Sequence, residues 1–215
     1  MRFAIVLLSA ALTVAAHAGD RPPLTVAARN GITYTVPVPE EYVFDENAQN
    51  IFLVGLKPVA SFTNTQTLVR ALPRSMLFFA VSEHPLFVSY GEREFKVFER
   101  IKSEADKLWN GPDILNPEKN GADQMNVFYR DAAITTTGAA LLASNDEELV
   151  TSLQYAVDSK EARFTINEVV LYFSQGEYLI KLGTIDMSTR TPQEIHAALE
   201  QWRRDIMAAN PAPDK

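Results

Sequence analysis

Residues 164–210 constrain the fold of this chain more than any other stretch. Val169, Leu171 and Phe173 alternate there with Val170 and Tyr172, then run into Ser174, Gln175, Gly176 and Glu177. A period-two pattern that meets a glycine marks a β-hairpin. A two-residue loop at Gln175 and Gly176 would set Phe173 opposite Tyr178, Leu171 opposite Ile180 and Val169 opposite Leu182. Directly opposed residues share a face, so one face of the hairpin is wholly apolar. The other face carries Glu168, Val170, Tyr172, Leu179, Lys181 and Gly183, a mixture suited to a surface only partly covered. Further on, Thr191 offers an N-cap hydroxyl, Pro192 a first helical residue and Glu194 the carboxylate of a capping box. Ile195, Leu199, Trp202 and Ile206 follow on one helical stripe, and Asn210 with Pro211 ends the run. That stripe is the natural cover for the hairpin's apolar face.

At the other end of the chain, Met1 and Arg2 precede an apolar run that closes on Ala16, His17 and Ala18. A basic start, a hydrophobic middle and a small-x-small site predict a secretory signal peptide over 1–18. The run is shorter than the ~20 residues a spanning helix needs, so stable membrane insertion after cleavage is not expected. The remainder, 19–215, is the size of one domain with its own core, with a leader at 19–23 and a tail at 211–215 expected to be flexible. Losing Arg2 makes the formal charge more negative than the −7 of the full chain. Such a charge repels nucleic-acid phosphates and argues against nucleic-acid binding. The chain has no cysteine, so an exported product must be held by apolar burial rather than disulfides, which suits a periplasm better than an oxidising eukaryotic route.

Between these ends, residues 24–28 and 32–38 flank the turn pair Asn30 and Gly31 and predict an N-terminal hairpin, ended by Pro37 and Pro39. Residues 51–62 read as strand or buried loop, 61–67 as a polar segment and 68–72 as a short helix halted by Pro73. A continuous apolar run at 76–81 predicts a strand buried on both faces, with a further strand at 86–90. From Arg93 the period becomes helical, with Phe98, Ile101, Ala105 and Leu108 on one face and a stop at Asn110, Gly111 and Pro112. Residues 116–131 could form another helix. The stretch 134–144 stays open, since its threonines favour strand and its alanines and leucines favour helix. Residues 149–157 satisfy both periods, and the polar turn after them favours strand.

The order of elements, strands first, a long helix in the middle and a strand meander closed by a C-terminal helix, resembles the Mog1/PsbP-like group of α/β/α sandwich proteins. The resemblance rests on 32–42, a strand entering Pro39, Glu40, Glu41 and Tyr42, and on the closing hairpin and helix at 169–206. It implies an α+β domain with an antiparallel sheet flanked by helices. It also implies a non-catalytic binding or assembly accessory, and transfers no functional residue.

No nucleophile elbow, phosphate loop, dinucleotide fingerprint or zinc-protease motif occurs, and no catalytic residue or cofactor is expected. Only His84 and His196 remain beyond 1–18, which excludes a cysteine-based or multi-histidine zinc site within the chain. Glu83 and His84, in a connection between strands, and Glu168, Tyr172 and Lys181, on the mixed hairpin face, are the candidate ligand- or partner-binding residues. The partner would be an unknown protein or a small apolar ligand. Three function classes remain: an exported binding or assembly accessory, a carboxylate-dependent hydrolase with two acids facing across a pocket, and an inhibitor or immunity-type protein that sets its negative surface against a basic target.

Overall fold

The computed structural model describes residues 22–45, 58–64, 75–82, 87–90, 93–115, 132–158, 160 and 163–211. The expected signal peptide, the short helix at 68–72, the helix at 116–131, and Glu83 and His84 all lie outside them. Among the described residues the core is a seven-stranded antiparallel sheet in the order β3 (Tyr42–Phe44), β4 (Ala60–Asn64), β5 (Met76–Val81), β11 (Tyr178–Asp186), β10 (Arg163–Gln175), β9 (Glu148–Asp158), β8 (Ala133–Ser144). Two smaller antiparallel pairs stand apart from it, β1 (Leu24–Ala27) with β2 (Thr33–Val36), and β6 (Phe87–Tyr90) with β7 (Arg93–Lys96). Helix α1 (Val97–Trp109) lies on one face of the large sheet and helix α2 (Pro192–Ala209) on the other. The α+β class and the helix-flanked layout therefore match the expectation. Among the described residues no helix is long and apolar enough to cross a membrane.

The hairpin of β10 and β11 sits two residues away from the expected register. Gln175 pairs with Tyr178, Phe173 with Ile180, Leu171 with Leu182 and Val169 with Thr184. The reason is the loop. Gly176 has φ +59°, and the first residue of a tight two-residue hairpin loop needs a left-handed φ, so the glycine takes that place and Glu177 follows it. A shift of two keeps side-chain parity. Val169, Leu171, Phe173, Ile180 and Leu182 therefore still share the face that meets α2, joined by Phe62, Leu77 and Phe79 from the neighbouring strands.

Helix α2 begins as the sequence dictates. Thr191 Oγ1 accepts from Glu194 N at 3.3 Å, and Glu194 Oε2 accepts from Thr191 N at 2.8 Å. Its buried residues are Ile195, Leu199, Trp202 and Ile206. Trp202 meets Phe62 edge-on with ring centroids 5.7 Å apart.

Other elements depart from expectation. The helical period assigned from Arg93 starts at Val97, because Arg93–Lys96 pairs with β6 instead. The polar segment that opens at Ser61 is a strand through Asn64, and Ser61 and Thr63 are fully buried. Their polarity hid a strand that is covered on both sides. The open stretch 134–144 resolves as strand, with register shifts between Thr136 and Gly138 and between Leu141 and Ala143. The strand reading of 149–157 holds.

Candidate functional site

Helix α2 has two flanks as well as a buried stripe, and each flank meets a different group of residues. On one flank Ala198, Gln201 and Asp205 face the segment Pro37–Tyr42 across a cleft of about 320 Å³. The buried stripe residues Ile195, Leu199 and Trp202 form one wall, and Leu77, Thr184 and Arg190 also line it. Three hydrogen bonds with α2 and its C-cap hold the opposite wall in place. Trp202 Nε1 donates to Pro37 O at 2.7 Å. Asn210, at the C-terminal end of α2, brackets Thr35, accepting from its N–H at 2.8 Å and donating to its carbonyl at 2.7 Å. The β1–β2 hairpin is thereby clamped along the helix, and the chain leaving it at Pro37 walls the cleft.

Arg190 is fixed by the turn that precedes α2. Asp186 ends β11 with no exposed surface, where it accepts from Ser188 N at 2.7 Å and from Arg190 Nε at 3.1 Å, with further close bonds to Ser188 Oγ and Arg190 Nη2. Arg190 Nη2 also donates to Tyr42 Oη at 3.4 Å. Burial works against the guanidinium charge, but the hydrogen bonds and charge of Asp186 outweigh it and hold the Arg190 pKa above its ordinary value. These bonds use Nε and Nη2 and leave Nη1 as a donor not committed to them. Beside it, Thr184 is fully buried and its Oγ1 has no hydrogen-bond partner. A buried hydroxyl without a partner is costly, and this one belongs to a residue of the cleft lining. The rim is acidic, with Glu40, Glu41 and Asp205.

The sheet face under α1 holds three of the residues singled out in the sequence. Tyr172 and Lys181 are directly paired across β10 and β11, with Lys181 Nζ 5.6 Å from the Tyr172 ring centroid. Glu168 accepts a hydrogen bond from Tyr155 Oη at 3.1 Å. Glu168 is only 9% exposed and Lys181 only 4%, so the mixed face is closed rather than partly open. Burial raises the Glu168 pKa, and the Lys181 charge and the Tyr155 hydroxyl moderate the rise. Burial likewise lowers the Lys181 pKa against the pull of Glu168, and raises both tyrosine pKa values. The three residues do come together, as a buried polar cluster and not along the cleft. Sequence reading missed the cleft itself because its walls are separated by most of the chain.

No protein-family model matches this chain, and no curated protein matches it. Among solved structures it matches the solution structure of cyanobacterial PsbP (CyanoP) from Synechocystis sp. PCC 6803 over 92% of this chain and 96% of that one, at 9% sequence identity and a TM-score of 0.35. The α+β layout stands on the strand order and register given above.

On its second flank α2 presents His196, Glu200 and Arg203 to Glu148 at the start of β9. Arg203 Nη1 lies 2.8 Å from Glu148 Oε2 and 3.3 Å from Glu200 Oε1. These are facing acids of the kind a carboxylate hydrolase needs, but a guanidinium clamps them and they are not in the cleft. Asn145 positions Glu148, its Oδ1 accepting from Glu147 N at 2.8 Å and Glu148 N at 3.0 Å in the β8–β9 turn.

Proposed function

We propose that this chain is an exported, non-catalytic binding protein that holds a small amphipathic ligand in the cleft between α2 and Pro37–Tyr42. The buried hydroxyl of Thr184, without a partner and set in the lining beside Arg190, carries the reading. The volume of about 320 Å³ falls at the lower end of small-molecule sites, and such sites join apolar walls to a few placed polar groups. Leu77, Ile195, Leu199 and Trp202 suit an apolar body. Thr184 and the Nη1 donor of Arg190 suit a hydrogen-bond acceptor at its inner end. The acidic rim favours a positive outer end and disfavours an anion. The N-terminal sequence supports export, with the periplasm as the compartment.

Calorimetric titration with 6-aminohexanamide, hexanamide and adipic acid monoamide tests this, because the three share an amide head and a methylene body and differ in the charge of the outer end. Binding should weaken in that order. Thr184→Val should leave folding stability unchanged or raise it by about 1 kcal/mol, since it removes an unpaired hydroxyl, while weakening 6-aminohexanamide binding by about fivefold. Absence of saturable binding by all three compounds, or equal binding by wild type and Thr184→Val, would overturn the assignment of the cleft.

A further inference from the structure

We infer that Glu148, His196 and Glu200 form a binding site for a zinc-like divalent transition-metal ion. His196 and Glu200 are four residues apart on α2 and so project from the same face of the helix. Glu148 reaches them from the start of β9, whose first residue pairs with Phe173 in the sheet beneath. One ligand atom from each of the three lies within 4.8 Å of the other two. Four-coordinate zinc with N and O ligands needs donors roughly 3.4 Å apart, a closure that small side-chain rotations provide. The site is half-buried, with side-chain exposures of 16% for Glu148, 22% for His196 and 24% for Glu200. Solvent can therefore fill the remaining coordination position.

Two independent observations point to a cation beyond the arginine already present. The first is His196 Nε2, which is sealed from solvent without a hydrogen-bond partner and stands 4.0 Å from Glu200 Oε1. A buried imidazole nitrogen without a partner is unfavourable, and metal ligation is one of the few roles that use it. The second is charge. Arg203 lies against two half-buried carboxylates, Glu148 and Glu200, and supplies one positive charge to the pair. A divalent ion would balance both acids. Arg203, its guanidinium carbon 4.9 Å from the Phe173 ring centroid, would then hydrogen-bond their outer oxygens as a supporting group. One imidazole and two carboxylates suit zinc and its neighbours, whereas calcium prefers six or more oxygen ligands. This ligand set is distinct from the multi-histidine and cysteine sets that the sequence excludes.

Calorimetry with Zn²⁺, and with Ca²⁺ as a comparison, tests the site on the full chain. The expected result is one saturable Zn²⁺ per chain and weaker or no binding of Ca²⁺. His196→Ala and the size-conserving Glu200→Gln should each weaken Zn²⁺ binding by more than the ~10–100-fold that a supporting group costs, with thermal unfolding run in parallel to show that both variants are folded. Absence of saturable Zn²⁺ binding, Zn²⁺ binding that both folded variants retain, or Ca²⁺ bound as tightly as Zn²⁺ would each overturn the assignment.

Discussion

Replacing Lys181 with methionine is expected to destabilise the protein by about 3–5 kcal/mol, because it leaves the Glu168 carboxylate buried without its compensating charge. The pair lies on the face under α1, where Lys181 is 4% exposed and Glu168 accepts from Tyr155. Taking both groups out of water is costly, and each makes the other tolerable. Removing both should therefore cost far less than removing one, and Lys181→Met with Glu168→Leu should recover most of the loss. The Lys181→Met variant should also show a distinct pH dependence. Without the lysine that moderates it, the folded-state Glu168 pKa should rise further above its unfolded value. Its contribution is favourable below the unfolded value and is lost as pH rises through the folded one. The variant's deficit against wild type should accordingly be small near pH ~4 and grow toward neutrality. Urea unfolding of the two single variants and the double variant across that range provides the measurement. Strictly additive losses would show that the two side chains are not coupled.

Truncating Trp202 to alanine is expected to cost about 3–5 kcal/mol. The indole is 3% exposed, meets Phe62 edge-on and donates to Pro37 O. Its loss would leave a void between helix and sheet and remove one of the bonds that hold the cleft wall. Trp202→Phe keeps most of the ring volume and should lose about 1 kcal/mol with the hydrogen bond. Binding of 6-aminohexanamide should fall in both variants, because the Trp202 bond to Pro37 that holds the cleft wall would be lost. A loss below about 1 kcal/mol in the alanine variant, read from the urea midpoint at an unchanged slope, would mean that neighbouring residues refill the space.

Helix α2 was legible in the sequence almost residue by residue, since its cap, its stripe and its stop are all local signals. The parity of the β10–β11 hairpin was legible too. Its register was not, because placing the loop depends on which residue must take a left-handed φ. The closed state of the Glu168 and Lys181 face was hidden for another reason. Alternation of polar and apolar residues suggests a wet surface, and only the packing of α1 and its neighbours shows that the polar residues satisfy one another in the dark. The cleft left even less trace. Its polar groups come from Thr184, which looks like any strand residue, and from Arg190 in a short connection. A local signal existed in Asp186, Ser188 and Arg190, a spacing that allows an aspartate to cap its own turn and hold an arginine four residues on. His196 was visible as one of two histidines, yet nothing in the sequence joins Glu148 at a strand start to the side of a distant helix.

The clamp of Asn210 on Thr35 ties residues 175 positions apart, and that of Trp202 on Pro37 ties residues 165 apart. A chain synthesised from its N-terminus delivers the β1–β2 hairpin first and its anchor last. Ring closure over so long a loop is entropically demanding and comes late in folding. Until α2 has emerged and docked, the hairpin lacks the contacts that clamp it, so the central sheet can assemble before the cleft exists. Completion of the proposed binding cleft thus depends on the C-terminal half of α2 and its C-cap.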